Sequence, residues 1–145
     1  MKLSNGTGGG GEFFEPKDHK DAKAVLLEPL KILRDQPGNY GKRDLLVADV
    51  TVFTTKDTLD GTEEPKVYQS VKISGAAMIR DHEDKCGKEA SVGKFVGAPN
   101  KKGNHPIWVI RPVDQAAFER VAAYVVAREA ALAAELDADE PDWMG

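Results

Sequence analysis

Eleven residues carry the chemistry this sequence offers most plainly: Tyr40, Lys42, Arg43, Phe53, Lys66, Tyr68, Lys72, Lys94, Lys101, Lys102 and His105. They are rings interleaved with cations, with one imidazole. A ring gives an unpaired base a flat face to stack on, at about 1–3 kcal/mol per base, and ammonium or guanidinium groups follow the phosphates. The pattern points to single-stranded nucleic acid held without reading its sequence. The same residues have a plainer use. Barrel aromatics commonly pack, and Phe53 or Tyr68 is lost to a ligand if a C-terminal helix or the Phe13-Phe14 pair covers it. Lys101-Lys102 in a tight turn also serves as a soluble hairpin tip.

Catalytic and metal chemistry is poorly supplied. His82 and Cys86 have the spacing H-x3-C, with no second His/Cys pair near enough in sequence to complete a zinc site. Asp81, Glu83 and Asp84 read as a solvated helix face rather than a hydrolytic carboxylate cluster. Neither G-x-x-x-x-G-K-[ST] nor G-x-S-x-G occurs. The glycines at 8–11 follow no strand, so they make no phosphate loop. His105, beside Pro106, has no evident acid or nucleophile partner. No enzyme, metal or cofactor is expected.

The elements that must position the eleven residues follow from periodicity. Residues 24–33, AVLLEPLKIL, read as a strand that Pro29 bends, bulges or confines to an edge. Residues 35–43, DQPGNYGKR, read as a loop. Residues 45–54, LLVADVTVFT, are the clearest strand, rich in β-branched and aromatic types. A polar loop over 56–65 leads to a third strand, 66–73. Residues 74–85 change to helix-forming types, closed by Gly87. A fourth strand, 90–96, contains Gly93, which suits the sharp coiling of a small barrel. A loop over 98–105 and a fifth strand, 107–111, follow. Asp114 is placed to N-cap a long Ala-rich helix to about residue 136, striped by Phe118, Val121, Ala122, Val125 and Leu132.

Three strands, a short helix, two strands and an added helix is the order of an OB-fold. The expected class is mainly β: a five-stranded OB-fold barrel with a short helix between strands three and four and a C-terminal α-helix. An SH3-like barrel lacks a substantial helix at that point. The expected layout is a flexible Gly-rich arm over 1–15, with Phe13-Phe14 clipping onto the domain. The barrel then covers 16–113, the helix 114–136 and an acidic disordered tail 137–145. Strand alternation puts Leu46, Ala48, Val50 and Val52 inside, together with Val67, Val71 and Ile73. Phe53 and Tyr68 then face outward together, beside Lys66 and Lys72. The loops after strands one and four add Tyr40, Lys42 and Arg43, and Lys101, Lys102 and His105. Trp108 and Phe95 read as core.

The net charge of −4 on 145 residues argues, taken alone, against nucleic acid. Its distribution reverses that reading. Residues 112–145 hold eight acids and two bases, whereas residues 85–111 hold six bases and one acid. At 41% apolar the chain can bury one core. No stretch approaches the ~20 apolar residues of a membrane span, so no membrane partner is expected. The start, MKLSNGTGGGGEFFEP, has no apolar h-region and is not read as a secretory signal. The single Cys86 excludes an internal disulfide and fits a reducing cytoplasm.

The closing residues, DADEPDWMG, complete the pattern. They resemble the tails of bacterial and phage single-stranded DNA-binding proteins, a short acidic segment with Pro and a terminal hydrophobic residue. The matching residues are Asp137, Asp139, Glu140, Pro141, Asp142 and Trp143; the departure is that Met144 and Gly145 follow the ring. This resemblance implies a tail that recruits replication or recombination proteins, with Trp143 as apolar anchor. It also implies carboxylates that compete with DNA for the basic groove, weakly and in a salt-dependent way. The whole chain is similar to a group of small phage-encoded proteins of actinobacterial viruses, on KLSNGTGGGGEFFEP, KRDLLVADVTVF and VGKFVGAPNKKGNHPIWVIRPVD. That similarity implies an OB-type role on single-stranded DNA in phage replication or recombination, in the host cytoplasm. The competing expectation is a protein-interaction or virion-structural module on the same barrel, assembled through Phe118, Val121 and Val125. The Ala-rich helix either packs on its own barrel or pairs with a second copy to give a homo-oligomer.

Overall fold

A computed structural model describes residues 12–38, 41–100 and 106–138. Tyr40, Lys101, Lys102 and His105 lie outside the described residues, as do Asp139, Glu140, Asp142 and Trp143 of the tail; Asp137 falls within the final helix. The β-branched and alternating stretches form five strands: β1 (Ala24–Gly38), β2 (Gly41–Phe53), β3 (Lys66–Ser74), β4 (Ser91–Ala98) and β5 (Ile107–Arg111). They make one open sheet in the order β3-β2-β1-β4-β5, antiparallel throughout. Within it β4-β1-β2-β3 is a Greek key. Among the described residues no pairing joins β3 to β5.

The free edge of β3 takes a different partner. The Phe14 N–H donates to the Lys72 carbonyl at 2.8 Å, and the Lys72 N–H donates to the Glu12 carbonyl at 2.8 Å. Phe13 thereby bridges Lys72 in parallel, and a 3-10 turn, Pro16–His19, follows. The described end of the expected arm is thus tied to the sheet, with Phe14 buried as its clip.

Residues 35–38 and 41–43 extend the sheet, where a loop was expected over 35–43. Gln36 pairs Arg43, Pro37 pairs Lys42 and Gly38 pairs Gly41, so β1 and β2 continue as a two-stranded ribbon. β1 tolerates two prolines because it pairs β4 only at residues 25–27, so no β4 strand needs their missing N–H groups; the Pro29 carbonyl accepts the Gly87 N–H at 2.9 Å. A register shift lies at Pro29/Lys31, as that proline suggests, and another at Leu33/Gln36, where Asp35 has φ 54°. There the Asp44 carboxylate accepts from Arg34 Nη1 at 2.8 Å and from the Asp35 N–H at 3.0 Å. These two bonds hold its pKa below the ordinary carboxylate value.

Three α-helices accompany the strands among the described residues. α1 (Lys56–Asp60) replaces the expected polar loop; a capping box closes it, with Thr55 Oγ1 accepting the Thr58 N–H at 3.2 Å and Thr58 Oγ1 accepting the Thr55 N–H at 3.0 Å. α2 (Ala76–His82) fills the interval between β3 and β4 and packs on β2, β3 and β5. His82 is buried there, its Nδ1 2.8 Å from the Met78 carbonyl and its Nε2 3.0 Å from Ser91 Oγ, so it ties α2 to β4. α3 (Gln115–Ala138) begins as the sequence indicates, with Asp114 Oδ1 accepting the Ala117 N–H at 2.8 Å.

The two faces of the sheet are covered differently. The inner face gathers Val25, Leu27, Leu46, Val50, Ile73 and Phe95 around Phe14 and Met78, with Trp108 and Ile110 against them. Side chains from all five strands meet there, so the sheet is coiled. Gly93 permits this: a Cβ at that position would collide with the Arg111 carbonyl and the Ile110 side chain. On the outer face, Ala24, Leu26 and Phe53 lie under Val121, Tyr124 and Val125 of α3. Arg128 closes that contact with a bidentate pair to Glu28, at 2.7 and 3.0 Å, which raises the guanidinium pKa. Val121, expected on an assembly surface, is therefore spent inside the chain. Past Arg128, residues 129–136 are all exposed. Among the described residues no helix is long and apolar enough to cross a membrane.

Candidate nucleic-acid interface

A single extra residue in β3 decides which side chains reach the surface. Ala48 pairs Val71 and Val50 pairs Tyr68, so two steps on β2 match three on β3. Ser70 takes up the excess with φ 53°, and its N–H donates to Asp49 Oδ1 at 2.8 Å. A bulge of this kind shifts alternation by one. Val71 and Ile73 are inside as expected, but before the bulge the order inverts: Val67 faces out and Tyr68 turns in.

The expected platform is corrected accordingly. Tyr68 packs edge-on against Phe14 and His19, both with centroids at 5.3 Å, while Lys66 Nζ lies 5.4 Å from its ring. His19 stacks on Phe14 at 4.6 Å. Burial lowers the His19 pKa below its ordinary 6.5; Asp18 opposes that shift and Lys66 adds to it. Phe53 is on the outer face but 0% exposed, with Tyr124 of α3 edge-on at 5.2 Å. The two rings occupy opposite faces, and Phe53 offers no surface to a base. Lys94 is also apart: it lines a cleft at the amino end of α3 with Lys23, Lys56 and Arg120.

What the register does bring together is a row across β1, β2, β3 and the bridged Phe13 segment. Lys31 pairs Val47, Val47 pairs Lys72, and Lys72 bridges Phe13. Cross-strand partners share a face, so all four side chains lie on the outer surface, beyond the cover of α3. Phe13 is 53% exposed. Arg43 Cζ stands 5.0 Å from its centroid and Lys72 Nζ 5.8 Å. Each such exposed contact stabilises by about 0.5–1 kcal/mol and holds the ring in place. Leu45 and Val47, both buried, floor the area toward the ribbon. Lys42, next to Arg43, falls on the opposite ribbon face by alternation.

The neighbouring row is acidic, but its groups are engaged. Glu28 faces Asp49 across the strands; Glu28 is held by Arg128 and Asp49 by the Ser70 N–H. Two cations, Arg43 and Lys72, therefore flank one open ring and Lys31 lies further along the same row, without an unengaged carboxylate in the adjoining row. Of the expected site residues, Arg43 and Lys72 belong to this cluster. Phe13 and Lys31 are additions. The signal for Phe13 was its doubled neighbour, since adjacent extended residues point to opposite faces and one ring of Phe13-Phe14 must face out. Lys31 required the cross-strand register. Among the described residues no group of three His, Cys, Asp or Glu side chains is placed to hold a metal ion. No protein-family model matches the chain, and no curated protein or solved structure matches it.

Proposed function

We propose that the protein binds single-stranded DNA with little sequence preference, across the outer face of β1, β2 and β3 and the Phe13 segment paired to them. The observation that carries this reading is the exposed Phe13 ring held between Arg43 and Lys72, with Lys31 in the same row. A base stacks on the ring, and adjacent phosphates meet the three cations. Stacking tolerates every base because each has a π-face. The ribbon of β1 and β2 extends the surface and gives a strand something to lie along. An OB-type barrel is the fold reading that the Greek-key order and the helix between β3 and β4 support. The role that suits such binding is phage DNA replication or recombination, with the acidic residues from Asp137 to Trp143 recruiting partner proteins.

Fluorescence titration with oligo-dT and with duplex of equal length, at two salt concentrations, tests the proposal. Oligo-dT binds more tightly, and its affinity falls as salt rises. Absence of oligo-dT binding at low salt, or preference for the duplex, overturns it. The exposed distal half of α3 favours a second reading, a protein-interaction module, which predicts that first negative result.

A further inference from the structure

The outer surface of β2 and β3 continues past the Phe13 row. Lys72 and Ser74, two apart in β3, share a face, as do Val47, Leu45 and Arg43 in β2, and Leu45 pairs Ser74. Ser74 is the last residue of β3. Gly75 then turns the chain into α2 with φ 133°, a conformation open to glycine. Beyond that point β2 runs on to Gly41 paired with β1 alone among the described residues. Where β3 would have continued there is a cleft of about 330 Å³, lined by Arg43 of β2, Ser74 of β3, and Ala76, Ile79 and Arg80 of α2.

Arg43 belongs to both places: its Cζ stands 5.0 Å from the Phe13 centroid, and it lines the cleft. The two carboxylates of the lining, Asp44 and Glu83, converge on Arg34, at 2.8 and 3.5 Å. Arg43 makes no ion pair among the described residues. Arg80, 78% exposed, meets Asp81 through Nε at 4.0 Å, a weak surface pair that does not engage its two Nη atoms. Guanidinium forks grip phosphate oxygens in pairs, and Ala76 and Ile79 give a sugar an apolar wall. A ring, a guanidinium, a cavity and a second guanidinium thus follow one another at the base of the ribbon. We propose that this cleft holds the nucleotide next to the one stacked on Phe13, with its phosphate between Arg43 and Arg80. This subsite rests on the single-strand reading above and extends it. The strand leaves the ring past the end of β3, and α2 becomes a contacting element through Arg80.

Titration of the full chain with oligo-dT across a salt series tests this, on variants at exposed positions. Arg80→Ala weakens binding and lowers the slope of log affinity against log salt by about 0.7, one phosphate contact on a single strand. Arg80→Lys restores the slope, because the charge returns, but not the whole affinity, because the fork is lost. Ala76→Asp sets a carboxylate in the cleft and weakens binding too. It falls in the first turn of α2, where an acid suits a helix, so the fold is kept. Binding that Phe13→Ala weakens, but that neither Arg80→Ala nor Ala76→Asp changes, overturns the subsite and leaves the Phe13 surface standing. Absence of oligo-dT binding at low salt overturns both.

Discussion

The outer face of the sheet has two ends, and each holds a phenylalanine. At the β1 start, Phe53 sits beside Ala24 and Leu26 beneath α3. At the ribbon end, Phe13 sits beside Lys72 and Arg43 in solvent. The ring type is the same, but Phe53 ends an inner strand and Phe13 bridges the β3 edge, and the cover differs with them. A helix docked over one end makes its ring part of the core, where burying a side chain of that size stabilises the fold. The uncovered end keeps its ring available, and the cations around it give that availability a chemical direction.

Substitutions at the two rings should therefore separate stability from binding. Phe53→Ala has the largest expected effect, a loss of about 3–5 kcal/mol in urea unfolding, with oligo-dT affinity of the folded fraction unchanged. A fall in affinity under fully folded conditions would break the contrast. Phe13→Ala is the reverse case. Its expected cost is about 1–3 kcal/mol in oligo-dT binding by titration, with a loss of stability of no more than about 1–2 kcal/mol from the two cation contacts. Lys72→Ala has a smaller effect, best seen in the salt dependence: the slope of log affinity against log salt falls by about 0.7 for one lost phosphate contact on a single strand. Lys94→Ala, at the far end of α3, leaves that slope unchanged.

The smallest expected effect concerns how firmly the ribbon-end ring is held. His19 is stacked on Phe14, and burial keeps its pKa below 6.5. Above that value the ring is neutral whether or not the segment is docked. As pH falls through 6.5 toward the lowered value, the undocked form takes up a proton that the docked form refuses, so docking weakens. Amide exchange at Phe14 and Lys72, corrected for intrinsic rates, should lose protection over that window. His19→Phe should abolish the pH dependence.

The strands with strong β-branched alternation were legible in the sequence, as were the Asp114 cap and the helix it opens, because each rests on local pattern. The ribbon was not, since Pro37-Gly38 and Gly41 carry the residue types of a loop, and only pairing across the two strands makes them sheet. α1 left a faint mark in Thr55 and Thr58, three apart and followed by Gly61. The site was half legible. Lys72 was expected on the outer side of its strand and Arg43 in a loop, whereas Phe53 depended on where α3 settles, which no local pattern states. Tyr68 depended on counting residues through a bulge whose traces were Asp49 within a strand and Ser70 opposite it.

That bulge sets what evolution or an engineer can do here. Deleting Ser70 would restore simple alternation with Gln69 opposite Asp49, and would leave Tyr68 against Val50 on the inner face and Val67 outside. Flattening the bulge at constant length would do the reverse: Ser70 would stand opposite Asp49, Gln69 opposite Val50, and Tyr68 would turn out to solvent beside Lys66. In a sheet built this way, one surplus residue is what keeps an aromatic ring in the core.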